Sequence, residues 1–175
     1  MKDTNIYVIE NDELFFRPPE IKDAAAVYNL VDLCKPLDIN SRYNYMLLCD
    51  HFRDTCIFAG SNSGPAGFIS GYLHPSRRDT FFVWQVAVHP RFRRKGLGIG
   101  MLKHLIRRPA FHSVSYIETT VTPSNDASRN MFYSLAGELK THCIEEICYP
   151  AELFGKDAHE DEVLLRIGPF RLSEN

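Results

Sequence analysis

The sequence predicts an α/β domain, with a mixed central sheet of six to seven strands and helices on both faces. Three observations predict it. Short β-branched and aromatic runs alternate along the chain with amphipathic helical stretches. Residues 80–121 read strand, loop, helix, strand, the order of a parallel pair joined by a right-handed crossover. Residues 55–59 and 67–73 flank a turn-rich segment at 60–65 and read as a hairpin, which adds antiparallel pairing. A single domain accounts for all 175 residues and is large enough to bury a full core.

The elements follow in order. Strand-like residues occur at 6–8 and 14–17. Pro18 and Pro19 open a helix over 20–33, with Ile21, Ala25, Tyr28 and Val31 near one face. Residues 35–40 form a loop, and Ser41 is placed to cap a second helix over 41–52 that carries Tyr45, Leu48 and Phe52 at helical spacing. A turn at 75–79 leads into the long strand 80–89, and Pro90 stops it because proline cannot donate to a ladder. The next helix turns Ile99, Leu102, Leu105 and Ile106 inward and ends at Pro109. Residues 114–121 are a strand. A helix starts at 123–125 and lasts to about Leu135, with Gly137 as its stop. Weaker strands lie near 141–147 and 163–167.

Composition bounds the function. Apolar residues make up 45%, charged residues 24%, and the net charge is -2, so the whole chain makes no case for nucleic acid or a membrane surface. Charge is nevertheless uneven. Arg91, Arg93, Arg94, Lys95, Lys103, Arg107 and Arg108 cluster, while Glu145, Glu146, Glu152, Asp157, Glu160, Asp161 and Glu162 gather near the C-terminus. The five cysteines are odd in number and lack a C-x-x-C, so neither a disulfide framework nor a zinc site is indicated, and no metal is expected. The first ten residues lack an apolar signal core and no run spans a bilayer, which makes the cytoplasm the expected location.

The chemistry concentrates between Thr80 and Arg108. An apolar strand runs into a basic glycine loop, Arg93-Arg94-Lys95-Gly96-Leu97-Gly98, and then into a helix. A helix start exposes N–H groups and a positive dipole end, and arginines beside it complete an anion site suited to a diphosphate. Glycines allow close backbone approach. The spacing is not that of a dinucleotide fingerprint, since Gly96, Gly98 and Gly100 form G-x-G-x-G, and no G-K-[ST] makes it a P-loop.

With V-A-V-x-P at 86–90 before it and an amphipathic helix after it, R-x-x-G-x-G resembles the GNAT acetyltransferase superfamily. The resemblance implies acetyl-CoA as donor. It implies that Arg93, Arg94, Lys95, Gly96, Leu97, Gly98 and Gly100 hold the diphosphate, and that the edge at Val86 and Val88 pairs with the pantetheine arm like an added strand. Asn125 matches the family's pantetheine-contacting Asn. The family's thiolate-protonating Tyr is expected at position 132, which is Phe, so Tyr133 stands one place late, and either it or water is the acid.

L-D-I-N-S (37–41), Y-M-L-L-C-D-H-F (45–52), F-V-W-Q-V-A-V-H-P (82–90), E-T-T-V-T-P-S-N-D-A-S-R (118–129) and H-E-D-E-V-L-L-R-I (159–167) together resemble the L-2,4-diaminobutyrate acetyltransferases of ectoine synthesis. That resemblance implies acetylation of the 4-amino group of diaminobutyrate by a homodimer. Such a substrate needs anions for its 2-ammonium and donors for its carboxylate. Asp38, Glu160 and Glu162 are candidate anions; Arg42, Tyr43 and the Trp84 indole are candidate donors. Each has a plainer alternative as a capping, packing or surface residue.

The attacking amine must be neutral, and with an amine pKa of about 10.4 this costs roughly 4 kcal/mol near neutral pH. Strand 80–89 has no carboxylate to lead the proton away, which leaves His89 and Glu118 as candidate relays. A backbone N–H at Val86 would stabilise the oxyanion, and no enzyme nucleophile is required. Two alternatives stay open: an acetyltransferase for another amine, such as a polyamine or lysine, and a non-catalytic acyl-CoA sensor.

Overall fold

The computed structural model describes residues 6–9, 12–155 and 159–172. Asp157 of the C-terminal acidic group lies outside them. The described residues fall into two compact units, those within 1–72 with 83–112, and those within 73–82 with 113–175. The described residues contain eight strands in a mixed sheet.

In the first unit, β1 (Ile6–Ile9) and β2 (Asp12–Arg17) form an antiparallel hairpin, and β2 pairs with β3 (Ile57–Ser61) in the register Leu14↔Ser61 to Arg17↔Phe58. β3 pairs with β4 (Gly64–Leu73), also antiparallel. The turn between them is only Asn62 and Ser63, so Gly60 and Pro65 belong to strands rather than to the long turn expected from composition. The strand-like residues expected at 6–8 form β1, and the described residues hold eight strands where six to seven were expected.

Helices α1 (Ala24–Asp32) and α2 (Arg42–Asp50) bury one face of this sheet. Val27, Leu30, Val31, Tyr45, Leu48 and Cys49 pack with Phe58, Phe68 and Ala87. Ser41 caps α2 as expected, accepting a hydrogen bond from the Asn44 N–H. Helix α3 (Leu97–Leu105) comes against β4 closely enough that a Cβ at Gly67 would sit 2.7 Å from Met101 Cε. Phe68 and Gly67 are adjacent, so α3 and the α1–α2 pair cover opposite faces. The buried residues of α3 are Leu97, Gly98, Met101, Leu102 and Leu105; Ile99, expected inward, is half-buried.

Arg17 forks onto Asp23, with contacts of 2.6 and 2.9 Å, and the Glu20 N–H donates to the same carboxylate at 2.7 Å. Burial on its own would raise the Asp23 carboxyl, but these donors hold it below its ordinary value. A depressed folded-state value means stability that is present at neutral pH and lost as pH falls through the carboxylate range. Asp23→Asn is therefore expected to cost about 1–3 kcal/mol at pH 7. The gap to the natural protein should close on acidification, as read by urea melts from pH 7 to pH 3.

In the second unit, the first three residues of β5 (Thr80–Val88) pair in parallel with β6 (Tyr116–Val121), as the strand–helix–strand reading expects. β6 pairs antiparallel with β8 (Glu162–Ile167), and β8 with β7 (Cys143–Tyr149). Helix α4 (Asp126–Glu138) turns Phe132, Leu135 and Ala136 into the core. It runs past Leu135 and includes Gly137, expected as its stop. The chain instead leaves the helix through Lys140 at φ 54°, a left-handed residue that composition does not announce.

Candidate active site

The basic glycine loop is a left-handed turn feeding a helix. Arg94 has φ 58° and Gly96 has φ 77°, and Gly96 is the N-cap of α3. A side chain at Gly96 would meet nothing within 4 Å, so glycine is required there by backbone conformation and not by space. The turn leaves the first amides of α3, at Leu97, Gly98 and Ile99, without acceptors inside the helix. Gly100, expected among the diphosphate contacts, is different: its N–H donates to the Gly96 carbonyl at 2.9 Å and closes the first helical turn. Its amide is spent on the helix, which narrows the amide cradle to the residues before it.

The strand edge beside this loop is also defined. Val86 and Val88 lie beyond the three residues of β5 that pair with β6. The Val88 carbonyl accepts hydrogen bonds from Cys34 Sγ at 3.3 Å and Arg93 Nε at 3.1 Å. Arg93 reaches the Leu33 carbonyl as well, at 3.5 Å. Its guanidinium thus ties loop to strand, a positioning role that the motif reading missed. Arg94 and Lys95 are exposed.

The α1–α2 loop carries Asp38. Its backbone carbonyl accepts from Gln85 Nε2 at 2.7 Å, which leaves the exposed carboxylate directed by a fixed main chain. Arg42 lies over the Tyr28 ring at 4.0 Å. Tyr43 is 68% exposed and Trp84 is 44% exposed, so Trp84 is no core residue and its indole is accessible.

In the second unit, the Asn125 side chain accepts from the Ser128 N–H and so serves first as the cap of α4. Tyr133, 39% exposed, accepts at its hydroxyl from Arg129 at 3.4 Å, and Arg129 is held in turn by Glu145 at 3.0 Å. A phenol that accepts from a cation keeps its own O–H hydrogen available to donate. Glu160 binds the Ser124 N–H at 3.1 Å and the Ser124 hydroxyl, so it pins the loop before α4. Glu162 has His159 Nε2 at 3.9 Å.

Both relay candidates are otherwise engaged. His89 Nδ1 accepts from the Arg91 N–H and caps the turn Pro90–Phe92. Glu118 is 2% exposed and is bound by Arg77 at 2.5 Å and by Arg166. Both oxygens of the Glu118 carboxylate thus already have a guanidinium partner. Cys49 and Cys56 are not available as nucleophiles: burial pushes both up to about 12, where thiolate is negligible.

A profile of the Acetyltransferase (GNAT) family matches residues 24–137. The L-2,4-diaminobutyric acid acetyltransferase of Bordetella parapertussis is 50% identical over 155 residues, 88% of this chain and 83% of its own. That of Virgibacillus pantothenticus is 44% identical, over 90% of this chain and 99% of its own. The diaminobutyrate acetyltransferase EctA of Paenibacillus lautus, solved with L-2,4-diaminobutyric acid and coenzyme A, is 43% identical. It superposes with a TM-score of 0.88, covering 94% of this chain and 99% of that one. Ard1 of Thermoplasma volcanium, 17% identical with a TM-score of 0.71 over 90% of this chain and 99% of its own, shares the fold alone. A basic left-handed turn capping α3, an edge of β5 freed beside it and this degree of identity lead to one assignment: the chain belongs to the GNAT acetyltransferases, and within them to the L-2,4-diaminobutyric acid acetyltransferases.

Proposed function

We infer that the protein moves the acetyl group of acetyl-CoA to the 4-amino group of L-2,4-diaminobutyrate, giving N4-acetyl-L-2,4-diaminobutyrate for ectoine biosynthesis. The relative solved with both diaminobutyric acid and coenzyme A carries this reading.

The donor set fits a coenzyme with a diphosphate. The α3 start offers amides to the phosphates, Arg94 and Lys95 add positive charge, and the Val86–Val88 edge, apart from the Val88 carbonyl already held by Cys34 and Arg93, offers main-chain groups for an extended amide arm. In direct transfer the neutral amine attacks the thioester carbonyl, the C–N bond forms, and the C–S bond breaks. The amine gives up one proton and the departing sulfur gains one. The Val86 N–H stabilises the oxyanion, and Tyr133 donates the proton to sulfur. Asp38 and a C-terminal acid, Glu160 or Glu162, hold the 2-ammonium. Arg42, Tyr43 and Trp84 serve the carboxylate. Asn125 completes the contacts to the coenzyme arm. His89 and Glu118 drop out, so the amine loses its proton to water in a site that disfavours the ammonium by desolvation. The enzyme is proposed to act as a homodimer in the cytoplasm, as one catalytic domain. No helix among the described residues is long and apolar enough to cross a membrane.

The test uses purified protein, acetyl-CoA and a panel of diaminobutyrate, ornithine, lysine and spermidine. Thiol release is measured and the acetylated position is read by NMR. Release with diaminobutyrate and a 4-N-acetyl product supports the reading. Turnover only with spermidine or lysine would move the substrate, and coenzyme binding without turnover on any amine would make the protein a sensor.

A further inference from the structure

Gln85 sits in the middle of β5, is 5% exposed, and has both ends of its amide engaged by groups from the α1–α2 region. Its Nε2 donates to the Asp38 carbonyl at 2.7 Å. Its Oε1 accepts from the Tyr45 hydroxyl at 3.3 Å. The same hydroxyl, on a fully buried tyrosine, accepts from the Asn40 N–H at 3.3 Å. The two side chains therefore grip the main chain on both sides of Ile39, one by a carbonyl and one by an N–H. A surface loop whose backbone groups are taken up by buried side chains has little freedom to shift. Tyr45 also meets the Tyr28 ring edge-on, with centroids 6.0 Å apart, and Tyr28 carries the Arg42 guanidinium on its face. One connected set of contacts thus runs from the Asp38 loop through Gln85 and Tyr45 to Arg42.

We propose that Gln85 and Tyr45 are positioning residues that set the affinity for the amino-acid substrate, by fixing the main chain beneath Asp38 and the ring beneath Arg42. The proposal rests on the reading that Asp38 receives the substrate ammonium. Geometry explains why an amide stands at position 85. The side chain must donate to a carbonyl and accept from a phenol at once, which a carboxylate, a hydrocarbon or a lysine cannot do.

Gln85→Glu keeps the shape and the acceptor but loses the donor to Asp38. Tyr45→Phe keeps the ring and loses the hydroxyl. Steady-state kinetics of both variants are measured with diaminobutyrate and acetyl-CoA each varied, alongside thermal melts. The expected result is a KM for diaminobutyrate raised roughly 5- to 20-fold in each, with the KM for acetyl-CoA within twofold of the natural protein. Gln85→Glu combined with Asp38→Ala should bind diaminobutyrate no worse than Asp38→Ala alone, because the two substitutions remove one function. If Gln85→Glu does not fold, Tyr45→Phe carries the same comparison. An unchanged KM for diaminobutyrate, equal rises for both substrates, or additive losses in the double variant would overturn the proposal. Failure of the natural protein to acetylate diaminobutyrate at all would instead strike the functional reading, and the unmodified enzyme reports that separately.

Discussion

Replacing Gly96 with valine is expected to weaken coenzyme A binding about tenfold or more while leaving the fold standing. The residue has φ 77°, and nothing lies within 4 Å of the position a side chain would take. The penalty is therefore conformational: a left-handed backbone costs an L-residue roughly 1–2 kcal/mol, more for a β-branched one, and 1.4 kcal/mol is a factor of ten in affinity. The turn escapes that strain by rotating out of the left-handed region, which re-aims the amides of Leu97 and Gly98 at the start of α3. Because Gly96 is exposed and the core of α3 is held by Leu97, Met101, Leu102 and Leu105, the melting temperature should move by only a few degrees. Gly96→Asn is the control, since asparagine tolerates the left-handed region, and it should retain most of the affinity. Calorimetric titration of coenzyme A into the three proteins decides it. Equal affinity in the valine variant would remove the anion site from the α3 terminus.

The second large effect is on stability. Glu118→Gln is expected to cost about 2–4 kcal/mol, because it leaves the Arg77 and Arg166 guanidinia beside a neutral group at a buried position. Arg166 also lies over the Tyr116 ring at 3.9 Å, so the arginine stays packed and cannot simply swing into water. The loss falls near the lower end of what breaking a buried ion pair costs, since Arg77 is nearly half exposed and rehydrates. Urea unfolding measures it. The same variant separates a structural carboxylate from a proton relay. Assayed well below its melting point, it should keep kcat within a few-fold of the natural enzyme and the same pH profile. A collapse of kcat with full stability would restore Glu118 to the chemistry.

These two positions show how unevenly the chain discloses itself. The Gly96 turn was legible because its reason is local. A basic glycine run between an apolar strand and an amphipathic helix specifies a helix start, and the left-handed φ follows from residue type. Ser41 as the cap of α2 and Pro90 as the end of β5 were legible for the same reason. Glu118 was read as a candidate relay because its partners, Arg77 and Arg166, stand 41 and 48 residues away in sequence. Glu160 belongs to this group too, with Ser124 36 residues off. Gln85 was noticed only as the absence of an acid on its strand, and nothing in its neighbours announces the Asp38 carbonyl 47 residues earlier.

The chain by itself determined the α/β class, the parallel pairing of β5 with β6, the helix start after the basic glycine loop and the resemblance to acetyltransferases, because periodicity, turn chemistry and motif spacing act over a few residues. Tertiary structure alone decided which polar side chains are available for chemistry and which are consumed in holding the scaffold. It placed Arg93 on the Val88 carbonyl, His89 in a turn cap, and Glu118 between two arginines. The physical reason is that a buried polar group must find a partner, and in this fold the partner comes from a strand or loop distant in sequence.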